Sequence, residues 1–431
     1  MKKHWLVPGI LLPLLTVGTA DAQTVRLTVS EAVDRAMQAS HRLAEANARE
    51  AGARATVRVR ESADQPTVNL SGGYTRTNHV EEFRVFQPGE LRVIYPDAPD
   101  NLFSRVALQW PIYTGGRTDA LQRAAEAEAR AAGSDVRAAR ADLRLEVVRS
   151  YWALATANES LRVLDEALAR SDAHVRDVRA QFDNGLIPPN EVSSAEAQRS
   201  RQQVLQIEAR NFRSSAMEDL HRLTGFTEEI EIAERLEAAA QPGTIATLEA
   251  SARAERQAQA ERIIAADQRR RAAEAGRRPT VSVNGAVDYA NPNPRIFPRA
   301  EKWQESWEVG ITANWTLWDG GRTAAEVLEA DAAATAARAR LEELDSLFAL
   351  EIRQRSLDLD SARASLVAAG DGVRSAAEAR RVVTERFTVG VATNTEVLDA
   401  QLALLQAELD RTRALAAIRL AEARLDRALG R

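Results

Sequence analysis

Trp110-Pro-Ile-Tyr-Thr-Gly-Gly-Arg117 recurs 205 residues later as Trp315-Thr-Leu-Trp-Asp-Gly-Gly-Arg322. The same offset relates Phe182-Asp-Asn-Gly185 with Glu191 to Phe387-Thr-Val-Gly390 with Glu396, and Leu220, Arg222 and Gly225 to Leu425, Arg427 and Gly430. It does not drift across 116 residues. Two structural units are therefore held to one length, as a rigid, symmetric device requires and a catalytic pocket does not.

Outward from these motifs, proline is absent from 112 to 187, from 190 to 241 and from 299 to the end. Those stretches are rich in Ala, Leu, Glu, Gln and Arg, so they read as long helices. The 65 residues from Thr118 to Phe182 make a rod of roughly 100 Å at ~1.5 Å per residue. Thr323 to Phe387 repeats it. Each rod reaches a Gly turn, at Gly185 or Gly390, and a second helix returns to about Gly225 or Gly430. Alanine at many positions suits close, coiled-coil-like packing of such hairpins.

Four short segments have the other period. Thr67–Tyr74, Arg105–Ile112, Thr280–Tyr289 and Trp307–Leu317 alternate apolar with small or polar residues, the pattern of strands. Their length and the Tyr and Trp near their ends suit strands that cross a bilayer, although a half-buried soluble sheet shares the pattern. The connections favour the membrane. Thr75–Phe103 and Ala290–Ser306 are long and polar, and the spacing Val68 to Trp110 exceeds Val281 to Trp315 by eight residues while the helices do not differ. Such freedom is typical of external loops. The polar positions Asn69, Ser71, Gln109, Ser282, Asn284, Thr312 and Asn314 are then expected to face a lumen. Lipid cannot satisfy an open sheet edge and known barrels begin at about eight strands, so four strands require two or more copies of the chain.

Bulk properties exclude other classes. Lys2, Lys3, the broken apolar run Trp5 to Val17 and Ala20-Asp21-Ala22 read as a signal peptide over residues 1–22, too short for a spanning helix. With no cysteine there are no disulfides, thiolate metal sites or lipidated N-terminus. The formal charge of -5 and the scattered arginines give no nucleic-acid footprint. Five scattered histidines, no His-x-x-x-His, no Walker pattern and a Gly-Gly-Arg too short to cradle phosphate argue against an enzyme, a metal site or a cofactor. Gly115-Gly116-Arg117 and Gly320-Gly321-Arg322 read instead as tight strand-to-helix corners.

These residues resemble the TolC family of outer-membrane efflux and secretion channels. The resemblance is carried by Trp318-Asp-Gly-Gly-Arg322 at a strand-to-helix junction, Tyr151-Trp152 on a long helix, the tip Phe387-Thr-Val-Gly390 and Val397-Leu-Asp-Ala-Gln401 after it, over about 28 to 430. Departures lie in the first copy, where Thr114 replaces the usual Asp and Ser194 stands opposite Asp399. The resemblance implies a mainly α fold with a small β part. Long antiparallel hairpins would form an α-barrel, and four strands per chain would enter a shared twelve-stranded barrel in outer-membrane lipid, as a homotrimer. It implies a first repeat at 23–225, an equatorial joining segment at 226–243 and a second repeat at 244–431, with a periplasmic adaptor and an inner-membrane pump or ABC transporter as partners. A passive channel of a tripartite efflux or type I secretion system is the expected function. The alternative is a non-conducting periplasmic coiled coil, which has no use for four alternating strands.

Gly185-Leu186-Ile187 and Val389-Gly390-Val391 are turn chemistry on one reading and adaptor-docking tips on the other; the apolar residues favour docking. Glu396 and Asp399 share one helical face, which in the family lines the periplasmic constriction, where three copies would gather six carboxylates. Thr393-Asn-Thr-Glu396 is also a capping box, a structural account of Glu396 that does not extend to Asp399.

Overall fold

The computed structural model describes residues 24–236 and 253–431. The expected signal peptide and residues 237–243 of the joining segment lie outside them. The order is β1 (Val25–Leu27), α1 (Val29–Ala39), α2 (His41–Glu61), β2 (Thr67–Arg76), β3 (Phe83–Gln87), β4 (Glu90–Tyr95), β5 (Asp100–Tyr113), α3 (Arg117–Asp183) and α4 (Pro189–Thr224). There follow β6 (Ile230–Ile232), α5 (Ala254–Glu274), β7 (Thr280–Asn291), β8 (Gln304–Asn314), α6 (Arg322–Thr388) and α7 (Asn394–Ala428). The two long rods α3 and α6 are 67 residues each and begin and end at matching positions. No helix among the described residues is long and apolar enough to cross a membrane.

Contacts divide the chain into two compact units that cut across the sequence halves. One takes the described residues of Met1–Ser40, Leu143–Gly243 and Asp358–Ala423; the other those of His41–Asp142, Thr244–Leu357 and Arg424–Arg431.

In the first unit, β1 and β6 form a parallel pair, Val25 opposite Ile230 and Leu27 opposite Ile232. The pair seats on the helices through a core that includes Leu27, Ile230, Val147, Tyr151, Leu154 and Leu220. The buried Tyr151 hydroxyl donates to the Leu27 carbonyl at 3.0 Å and accepts from the Glu234 backbone N–H at 3.3 Å, satisfying what burial would leave unpaired. Burial pushes the Tyr151 pKa up to about 12. α1 starts on a capping box, Thr28 with Glu31. Tyr151-Trp152 thus anchors the β1–β6 pair, whose strands are too short to be read from sequence.

In the second unit, α3 and α5 run antiparallel, joined by Arg130–Glu261, Arg262–Asp135 and Arg269–Glu128. Buried alanines at 120, 124, 127 and 131 stripe α3, and α5 buries Ala258, Ala265 and Ala272, small side chains that permit close axes. Arg427 at the end of α7 is buried between Asp142 and Glu255. Arg253 is buried against Glu351 and over the Phe348 ring, 3.9 Å from its centroid.

The same unit holds an antiparallel sheet in the order β2-β5-β7-β8. All four expected strands are present. The last ends at Asn314, so the expected strand to Leu317 is three residues too long; Trp315 leaves the sheet and its indole N–H donates to the Arg277 carbonyl at 3.1 Å. Trp110 repeats that contact with Asp64 at 3.1 Å. The loop Thr75–Phe103 is not irregular throughout: β3 and β4 form a hairpin in it.

Candidate functional site

Register sorts the side chains of the sheet. Val68 pairs with Leu108, Leu70 with Val106, Val106 with Val287, and Val287 with Trp307, giving one continuous apolar face. Among the described residues nothing covers that face: Leu70 and Trp307 are 76% and 75% exposed. The opposite face carries Thr67–Gln109–Asn284 and Asn69–Ala107–Ala286 rows, with Ser282 opposite Thr312 and Thr280 opposite Asn314. The seven expected lumen positions therefore share a single face. Asn284 Nδ2 donates to Thr312 Oγ1 at 2.9 Å.

The same face carries a charged ladder beyond those seven positions. The Arg105 guanidinium donates to Asp288 at 3.4 Å and to Glu308 at 2.5 Å, and Arg295 also reaches Glu308. All three strand residues were legible as polar-face positions. Their contact depends on registers between strands 183 and 203 residues apart in sequence.

Both strand-to-helix corners are paired glycines at positive φ, 66° and 85° at Gly115 and Gly116, 68° and 90° at Gly320 and Gly321. Arg117 and Arg322 then open the helices. Asp319 accepts from the Thr323 hydroxyl at 2.5 Å, the Thr323 N–H at 2.9 Å and the Gly321 N–H at 3.0 Å, bonds that hold its carboxyl below the usual range, the hydroxyl foremost. Thr114 gives the first corner a weaker version, its Oγ1 accepting from the Thr118 N–H at 3.4 Å. The first corner compensates by close packing: a Cβ on Gly115 would lie 2.9 Å from the Arg278 Cβ, and Arg278 donates to the Gly115 carbonyl at 3.0 Å.

The tips end identically. Gly185 and Gly390 have φ of 75° and 77°. Leu186 N–H reaches the Gln181 carbonyl and Gly185 N–H that of Phe182, as Val391 reaches Arg386 and Gly390 reaches Phe387, both Schellman motifs. Leu186 is 73% exposed, and Val389 and Val391, on either side of Gly390, are exposed as well. Ile187 differs from the expected exposed knob. It is partly buried against a cluster of Val178, Ala195, Phe387 and Val397 that joins the two hairpins near their tips.

Beside that cluster lies a polar knot. The buried His174 Nε2 and Asn394 Oδ1 are 2.7 Å apart, and Asn394 Nδ2 donates to the Glu191 carbonyl at 3.1 Å and carboxylate at 2.9 Å. The expected acids follow on α7. Glu396 Oε2 accepts from the Thr393 N–H at 2.7 Å and hydroxyl at 3.0 Å, and its own N–H donates to Thr393 Oγ1 at 3.3 Å. The capping box is complete, and the Thr393 backbone bond, then its hydroxyl, hold the Glu396 pKa below the usual range. Asp399 is exposed on the same helix. No group of three or more His, Cys, Asp or Glu among the described residues is placed to hold a metal.

A family model described as outer membrane efflux protein matches residues 32–226 and 246–431. Among solved structures, the chain is similar to the outer membrane protein VceC from Vibrio cholerae, at 22% identity and TM-score 0.78 over 93% of this chain and 96% of that one. It is similar to CusC at 16% identity, TM-score 0.81, over 99% and 98%. It is similar to the MtrE outer membrane channel of Neisseria gonorrhoeae at 17%, TM-score 0.78, over 99% and 98%. A comparison with curated proteins gives no match. With duplicated helical hairpins, a four-stranded antiparallel sheet and a family match over most of its length, the chain belongs to the outer membrane efflux protein family and is an outer-membrane efflux channel, not an enzyme.

Proposed function

We propose that three copies close their sheets into one twelve-stranded barrel in the outer membrane, and that the helical hairpins continue it as a periplasmic tunnel serving a tripartite export system. One observation carries the reading: among the described residues, an open four-stranded sheet has β2 and β8 as unpaired edges and one face exposing Leu70, Val309 and Trp307. Such a sheet is unsatisfied in water on its face and in lipid at its edges, and closure with further copies resolves both. A non-conducting coiled coil would not need it. Unheated, the detergent-purified oligomer should migrate at three chain masses and collapse to one on boiling; a monomer before heating contradicts the reading.

In this assembly Asn69, Ser71, Gln109, Ser282, Asn284, Thr312 and Asn314 line a polar, passive lumen. Gly185, Leu186, Val389, Gly390 and Val391 present the tips to a periplasmic adaptor, which couples the channel to an inner-membrane pump or ABC transporter, and Ile187 stiffens the first tip from within. Glu396 and Asp399 form the periplasmic constriction, six carboxylates in three copies, favouring cations and blocked by polyvalent ones. Cargo selection lies with the inner-membrane partner. Site-specific cross-linking from Leu186 and Val391 should capture the adaptor; capture from mid-helix positions alone contradicts the tip assignment.

A further inference from the structure

The polar face of the sheet is partly covered. Segment 292–303, which joins β7 to β8, turns back over the face that carries the Arg105–Asp288–Glu308 ladder. Its base is fixed by Asn293, which is fully buried: Nδ2 donates to the Gln304 carbonyl at 2.9 Å and to Ser306 Oγ at 3.0 Å, while Oδ1 accepts from the Arg295 N–H at 2.9 Å. Its far side is held by Arg299, whose N–H donates to the Ile94 carbonyl at 3.3 Å and whose guanidinium donates to the Tyr95 hydroxyl at 2.5 Å and Asn101 Oδ1 at 3.2 Å. Between these supports the Arg295 guanidinium reaches down to Glu308, on the same side as Thr312 and Asn284. A cleft of about 280 Å³ remains between segment and wall, lined by Arg105, Asp288, Asn293, Arg295, Arg299 and Ser306.

A loop with no task in the lumen has no reason to place charges against the lumen wall, where burying them costs free energy unless they are paired. We propose that segment 292–303 is a latch at the outer mouth, with Arg295 and Glu308 its catch and Arg105 and Asp288 its strike plate, forming a second, ionic constriction that exported solute must pass. The inference rests on the barrel reading above. Asn293 and Arg299 keep the base in place. The catch itself is releasable, because Arg295 and Glu308 are both partly exposed and such a pair is weak and screened by salt. Permeation at this mouth therefore depends on solute charge and ionic strength separately from the acids of α7.

The chain has no cysteine, so one introduced thiol reports alone. Intact cells would be labelled from outside with a bulky, membrane-impermeant maleimide at Thr312→Cys, inward of the catch. Glu81→Cys on the first external loop serves as the open reference and Val309→Cys on the apolar face as the lipid reference. Thr312→Cys should react more slowly than Glu81→Cys. Adding Arg295→Gln, or separately Glu308→Gln, should speed Thr312→Cys by about two- to fivefold, the upper part of the range one exposed ion pair supplies, and leave Glu81→Cys unchanged. Equal Thr312→Cys rates with and without Arg295→Gln would overturn the latch. Val309→Cys reacting as fast as Thr312→Cys would mean that the sheet is not in lipid, and would overturn the barrel along with the latch.

Discussion

The two hairpin tips share a length, a glycine and a hydrogen-bond motif, yet they are built to different ends. Phe387 of the second tip is 9% exposed, packed with Val178 and Val397 and 5.5 Å from the His174 ring, whereas its counterpart Phe182 is 40% exposed. The return helix of the first hairpin starts on Pro188-Pro189 without a side-chain cap. That of the second starts on the Thr393–Glu396 capping box and carries Asp399. Duplication holds the dimension while a few positions diverge: Ile187 and Glu191 of the first tip pack against or bond the second, and the second carries the acids that the function proposed above places at the constriction.

The comparison can be broken where it is strongest. Phe387→Ala should lower oligomer stability by about 3–5 kcal/mol, the range for emptying a buried aromatic site. Phe182→Ala should cost roughly 0.5 kcal/mol or less. Thermal unfolding of the two variants reads the difference, and equal losses would show that the assembled channel buries both. The corners offer the same test at smaller scale. Gly115→Ala combines positive φ with a Cβ 2.9 Å from Arg278, while nothing lies within 4 Å at Gly320. The first should cost about 2–4 kcal/mol. The second should cost ~1–2 kcal/mol, from backbone strain alone.

Next comes the knot. Asn394→Ala leaves His174 and Glu191 without their shared partner and should cost about 1–3 kcal/mol; Thr393→Ala, which removes only the cap, should cost ~1 kcal/mol. The smallest effect is a pH dependence. Because the folded Glu396 pKa is depressed, its contribution is present above the ordinary glutamate value of 4.5 and is lost as pH falls through the lower folded value. Glu396→Gln should therefore narrow its stability gap from the parent protein as the medium is acidified below that range. A gap that widens on acidification would contradict the capping geometry.

The rods and strands were legible because their signals are local: proline-free stretches, a period of two, glycines at positive φ. The fixed offset added a non-local check that a single segment cannot supply. What escaped was set by distant register. β1 and β6 are three residues each and pair across some two hundred residues, so neither carries a pattern of its own. The Arg105–Asp288–Glu308 ladder and the inward turn of Ile187 likewise depend on which elements meet. The β3–β4 hairpin had a signal, Pro88-Gly89 between apolar residues, with Gly89 at φ 105°.

Single-channel conductance of the purified oligomer in a planar bilayer tests the account most directly, comparing the parent protein, Glu396→Ala plus Asp399→Ala, and Thr393→Ala as the control that loses the cap but keeps both acids. The parent protein should show a small, cation-selective conductance blocked by trivalent cations, with block and selectivity lost in the double variant and retained in Thr393→Ala. Unchanged block in the double variant, or equal loss in Thr393→Ala, would contradict the assignment of the constriction to the second hairpin.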